Sequence, residues 1–297
     1  MSDKSRYVQV LAWASMLFLS ILPNVLYQEL TGKTGEWLFI AKIALLTLLL
    51  WVTFFWAPAH KLRDFFLIFT ALYLVEESFF RLGLWDQWQV WFSRQDFVSN
   101  MLGSQLLRLG TGLAMLAAML GLGFKRRDFF FSRGQLDAPS SRMPIFGFSE
   151  ASTWKRLGPA LVLYMGLAML AMLWIFSRPG LPAFQAILPL LPWILLFATT
   201  NAFGEEMLYR SALLAPTHKV LGGEQAILLT ATFFGIGHYY GVPYGITGVF
   251  LAGFFGWVLG RAMLETRGFF WPWMIHMVTD VVIYSFLAMG AVTAGGF

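Results

Sequence analysis

The sequence contains no cysteine. That absence excludes disulfides, thiol nucleophiles and cysteine-based metal or redox centres. Charge is also scarce: Asp, Glu, Lys and Arg make up 12% of 297 residues, while 58% are hydrophobic, with 30 Phe and 13 Trp. A soluble domain carries about 25% charge and about 45–50% apolar residues. Histidine is limited to His60, His218, His238 and His276, so any imidazole chemistry must use these four. What the chain has instead is a succession of apolar runs about 20 residues long, each enough to cross a bilayer as a helix. The expected fold is all-α, a polytopic membrane protein of about nine transmembrane helices. The first run extends well past the core of a signal peptide and lacks a small-residue cleavage site, so it reads as a retained helix. The net charge of +5 does not point to nucleic acid, because the basic residues lie in loops between apolar runs.

The runs fall near residues 7–30, 36–57, 65–84, 97–124, 157–176, 183–206, 225–240, 246–263 and 270–289. Pro23 predicts a kink in the first, and Trp85, Trp88 and Trp91 predict an interfacial segment after the third. Residues 125–156 form the one long polar stretch, with seven Lys or Arg residues and a Pro139-Ser140-Ser141 turn. It divides an N-terminal four-helix region, residues 1–124, from a C-terminal unit, residues 157–297. With a cytosolic N-terminus, fourteen Lys and Arg fall in inside segments against Lys33, Arg94 and Arg178 outside. This bias supports the nine-span topology. Glu205 and Glu206 are then expected toward the cytosolic end of their helix. Gly248, Gly253, Gly256 and Gly260 in the eighth run read as helix-packing positions.

Ionisable residues within apolar runs are the candidates for chemistry. Asn201-Ala202-Phe203-Gly204-Glu205-Glu206-Met207-Leu208-Tyr209-Arg210 places two carboxylates and a guanidinium at the end of the sixth run. Glu206 and Arg210 stand at i and i+4, acid first, the favourable order for a helical pair. Glu205 points about 100° away and is left for another role. The bland alternative is a solvated helix end carrying three charges. His238 closes the seventh run and His276 lies in the ninth, four residues before Asp280. Each histidine alone is a common packing residue; two of them with a carboxylate pair in one bundle suggest a site. Asp280 can accept from His276 and fix its tautomer. Glu76-Glu77-Ser78-Phe79-Phe80-Arg81 repeats the Glu-Glu-x-x-x-Arg pattern. No histidine follows it before the long loop, so it reads as a structural Glu77–Arg81 pair. His60 and His218 sit beside lysines and are expected to be solvated.

Glu205-Glu206-x-x-x-Arg210, Phe234-x-x-x-His238 and His276-x-x-x-Asp280, in this order on apolar helices, resemble the CAAX processing and bacteriocin-processing family of intramembrane proteases. The resemblance covers residues 157–297 and leaves 1–124 without family signal. It implies a helical bundle around a cavity open to cytosol and membrane, and an endopeptidase acting on a membrane-associated protein or peptide. Under it, Glu205 activates water as general base together with His238, Glu206 pairs with Arg210, and His276 with Asp280 stabilises the oxyanion. Many relatives have Asn where this chain has Asp280. An ionised Asp cannot donate, so Asp280 is expected to orient His276. The resemblance implies no cofactor. A zinc site from Glu205, His238 and His276 is the alternative reading. Non-enzymatic alternatives are a scaffold or immunity-type protein of the same fold and, more distantly, a transporter. The expected location is a prokaryotic cytoplasmic membrane with the active site toward the cytosol, and the expected partners are the lipid bilayer and a membrane-associated protein or peptide substrate.

Overall fold

A computed structural model describes residues 3–92 and 96–293 of the chain. Arg94, counted above on the outer side, lies outside the described residues. Helices α1 (Asp3–Leu19) and α2 (Leu22–Thr31) form one bent unit, turned by 48°. The break falls at Ser20–Ile21, just ahead of Pro23 in the first turn of α2, where proline is best tolerated. Buried Lys42 secures it, donating to Ser20 O at 2.6 Å and to Asn24 Oδ1 at 2.5 Å. Its helix is α3 (Trp37–Phe55); α4 (Arg63–Leu84), the aromatic α5 (Asp86–Phe92) and α6 (Phe97–Gly121) follow. Asp96 caps α6 by accepting from Ser99 N at 2.7 Å.

The polar stretch is more ordered than its composition suggested. Strands β1 (Pro139–Ser140) and β2 (Ser152–Thr153) pair antiparallel, and the loop docks onto the helices beyond it. Gln135 N donates to Thr266 O and Phe269 N to Ser132 O, each at 2.8 Å. The Trp154 indole and the Ser141 backbone N–H both donate to Glu265. These bonds join local turns to a distant helix corner, which composition cannot announce.

The C-terminal unit contains α7 (Trp154–Ser177), the short α8 (Leu181–Ala186), α9 (Leu191–Glu205), a π-helical segment (Glu206–Leu214), α10 (Ala215–Leu221), α11 (Gly223–Gly237), α12 (Ile246–Thr266) and α13 (Phe270–Thr293). Residues 181–221 form one helical run of 41 residues. Glu205 and Glu206 therefore stand well inside that run rather than at its end. Helical geometry persists because the following residues, Met207 to Thr217, are almost all buried against α4, α6 and α11.

Among the described residues, five helical runs are long and apolar enough to cross a membrane, or six if the bent α1–α2 pair is one span. All nine expected segments are helical. Those in α4, α6 and α11 fall outside this set: α11 has 15 residues, α4 carries Glu76, Glu77 and Arg81, and α6 is diluted by Ser99, Asn100, Ser104, Gln105 and Arg108. Ile40, Leu48 and Phe54 on α3 and Leu163, Leu167 and Ile175 on α7 are exposed. Apolar faces of this extent suit lipid rather than water.

One hydrophobic core joins the two halves, running from Met16, Phe65, Phe69 and Met115 to Met207, Leu213, Phe233 and Met263. A close crossing of α6 and α9 reinforces it. A Cβ added at Gly112 would lie 2.9 Å from Gly204 Cα, and one at Gly204 would lie 3.0 Å from Arg108 O. Gly112→Val is therefore expected to force the two helices apart, at about 1–3 kcal/mol, and thermal unfolding in detergent measures the loss.

Candidate active site

Glu205 closes α9, and Glu206 opens the π-helical segment. Such segments re-aim side chains and recur at functional sites. The two adjacent carboxylates have different surroundings. Glu206 is fully buried, 3.2 Å from Arg210 Nη1, and it accepts from His276 Nδ1 at 2.8 Å. Arg210 is also buried, with its guanidinium 4.1 Å over the Phe234 ring. Gly256 on α12 leaves the room for this, since a Cβ there would sit 3.1 Å from Arg210 Nη2. The packing glycines of α12 thus also accommodate a buried charge.

Glu205 is partly exposed and has a different set of neighbours. Its Oε1 accepts from Arg108 Nη1 and Asn201 Nδ2, both at 3.3 Å. Its Oε2 makes no hydrogen bond and lies 3.6 Å from His276 Nε2. Asn201 ties the cluster together: its amide also donates to Asp280 Oδ2 at 2.9 Å, and its carbonyl accepts from Arg108. Arg108 belongs to α6, so the N-terminal region supplies a cation to the site.

A cavity of about 510 Å³ opens beside these groups, lined by Glu205, His238, Arg108, Tyr209, Glu76 and Phe80 among others. His238 Nδ1 lies 2.8 Å from Phe234 O. A carbonyl only accepts, so Nδ1 carries the proton and Nε2 keeps its lone pair. The wall thus combines a carboxylate, an imidazole with a free lone pair and a guanidinium, which is sufficient for acid–base chemistry on a polar bond.

Glu205 and His238 are thus brought to one cavity, and Glu206 and Arg210 are paired behind it. His276 and Asp280, expected to face an oxyanion, are buried behind Glu205 and do not line the cavity. Asp280 also does not orient His276 by a hydrogen bond. Its Oδ2 is 3.7 Å from His276 Nε2 and is engaged by Asn201; Glu206 takes the ring instead. Helix α13 packs against α9, whose last residue immediately precedes Glu206, and this brings His276 within hydrogen-bond reach of it. His60 is exposed, whereas His218 is half-buried and bonded to Ala215 O at 2.5 Å, not simply solvated. Glu77 and Arg81 pair at 2.6 Å, and Glu76 faces the cavity. Among the described residues, no three His, Asp or Glu side chains are grouped to hold a metal ion.

Sequence reading missed Arg108 and Asn201 as site residues. Both had a signal: Arg108 is a charge within an apolar run, and Asn201 precedes Glu205 by one helical turn on the same face. Asn201→Ala would untie Arg108, Glu205 and Asp280 together. The expected cost is about 1–3 kcal/mol of stability for the unsatisfied buried partners, read as a lower melting temperature in detergent.

Fold and site define a helical membrane protein with a carboxylate–histidine–guanidinium centre inside its bundle. Residues 187–282 match the family described as type II CAAX prenyl endopeptidase Rce1-like. That stretch holds Glu205, Glu206, Arg210, His238, His276 and Asp280, so all three motifs fall within the matched residues, in line with the family resemblance they carried. Searches of curated proteins and of solved structures returned no match.

Proposed function

We propose that this chain is an intramembrane endopeptidase that hydrolyses a peptide bond of a membrane-associated protein or peptide, with Glu205 as general base. One observation carries the reading: of the paired carboxylates, Glu205 alone reaches the cavity, where His238 also presents Nε2. Glu205 accepts a proton from water as the water oxygen adds to the scissile carbonyl. His238 holds that water through its Nε2 lone pair, and the proton taken up by Glu205 passes to the leaving amine as the C–N bond breaks. The Arg108 guanidinium, half-exposed on the same wall, faces the developing oxyanion. His276, hydrogen-bonded to Glu206 and close to Glu205 Oε2, positions the base from behind. Asp280 acts on the same network through Asn201.

This mechanism is metal-free. His276 donates through Nδ1 to Glu206 and has Nε2 3.6 Å from Glu205 Oε2, so the ring bridges the two carboxylates and supports a positioning role. The proposed setting is a prokaryotic cytoplasmic membrane crossed by nine helices, with the three less apolar ones, α4, α6 and α11, shielded by their neighbours.

The test uses purified protein in proteoliposomes with a mixed library of C-terminal and leader peptides. Cleavage that survives a chelator supports the proposal. Cleavage abolished by chelation and restored by zinc would transfer the chemistry to a metal. A protein that cleaves nothing in the library, yet loses its cellular phenotype on no site substitution, would belong with the scaffold reading.

A further inference from the structure

Helix α12 offers an internal ruler for the depth and direction of the cavity. It has 21 residues, about 30 Å of rise, close to the thickness of the hydrocarbon core. The polar stretch 125–156 docks at its far end, through Gln135 on Thr266, Ser132 on Phe269 and Ser141 on Glu265. That stretch carries Lys125, Arg126, Arg127, Arg133, Arg142, Lys155 and Arg156.

The cavity lies toward the opposite end. Gly237, His238, Tyr240 and Gly241 line it, and they precede the first residue of α12. Phe80, near the C-terminal end of α4, forms the facing lip and is 62% exposed. The Tyr240 hydroxyl donates to Gln28 at 3.0 Å and Tyr244 to Glu29 at 2.6 Å, so the lip is tied to the C-terminal end of α2. By sequence, charge at this end is more acidic than basic, with Glu29, Glu36, Glu76, Glu77, Asp86 and Asp96 against Lys33, Arg81, Arg94 and Arg178. Trp85 and Trp91 lie near it together with Tyr239, Tyr240 and Tyr244, the residue types that settle at a membrane interface.

Lys and Arg mark the cytoplasmic side of short loops. Seven such residues at one end of α12 and a cavity mouth at the other give one orientation. We infer that the cavity opens on the non-cytoplasmic face, and that its substrate is a polypeptide segment displayed there, on an exported or outer-leaflet-anchored protein. The substrate class rests on the peptidase reading above; the direction of access does not. The earlier expectation of a cytosolic site treated Glu205 and Glu206 as the end of their helix. The run to Leu221 removes that basis, because the cytosolic end is α10 and the carboxylates lie deeper.

A chain without cysteine is suited to the test. Val242→Cys and Leu30→Cys, both at highly exposed positions on the mouth side, report one end. Ser149→Cys in the basic stretch reports the other. Each is treated with a membrane-impermeant maleimide in right-side-out and in inverted vesicles. The expected result is labelling of Val242→Cys and Leu30→Cys only in right-side-out vesicles, and of Ser149→Cys only in inverted ones. The reverse pattern overturns the inference. So does labelling of all three on one side, or of the mouth positions only after detergent. No cleavage enters the readout. A protein that labels as expected but meets the scaffold outcome above, with no cleavage and no phenotype on any site substitution, would end the peptidase reading and leave the direction of access standing.

Discussion

Glu205→Gln is expected to lower peptide cleavage by about 10²–10⁴-fold, the usual contribution of a general base, while the protein remains folded. The amide fits the same volume and can still accept from Arg108 and Asn201 at the Oε1 position, so α6 and α9 stay joined. It has no basic lone pair to take a proton from water. Glu205 is partly exposed to the cavity and forms no aligned bond through Oε2, so neutralising it leaves no buried cation without a partner of its own. Cleavage rate and melting temperature must therefore separate. A large loss of both would mean that Glu205 is structural. Unchanged cleavage would remove it from the mechanism.

Arg210→Met is expected to behave in the opposite way, by destroying the fold. It strands the Glu206 carboxylate in a site without solvent exposure, with His276 as the remaining polar partner. Breaking a buried pair by deleting one member costs about 3–5 kcal/mol, a large part of the roughly 5–15 kcal/mol that holds a domain together. Yield and melting temperature should fall sharply. Adding Glu206→Gln should restore most of the loss, because the amide is neutral and its oxygen still accepts from His276 Nδ1. A double variant no more stable than Arg210→Met would show that the guanidinium acts through its packing on Phe234 and not through charge.

These two residues also show what was legible in the sequence. The Glu206–Arg210 pair was readable because four residues of helical spacing survive into the structure, even through a π-helical segment. The order of the Glu-Glu, His238 and His276 motifs was readable because each lies on its own apolar run. The partner of His276 was not. Spacing along α13 makes Asp280 its neighbour, but the interhelical packing chooses Glu206. Arg108 was hidden for a similar reason. It reaches Glu205 because Gly112 and Gly204 let α6 and α9 touch, and two glycines in long apolar runs leave no periodic trace. The order within residues 125–156 depends on bonds to Thr266 and Phe269, more than a hundred positions away.

The crossing at Gly112 and Gly204 has a consequence for how the chain can be divided. The stretch that matches the family begins only at residue 187, yet one of the charges on the cavity comes from residue 108. A fragment starting after the basic loop would lack Arg108, the guanidinium that Asn201 and Glu205 share. The matched stretch is thus not self-contained. Helix α6 completes the cavity wall, and a shortened chain would lose a charge of the site while keeping all three motifs.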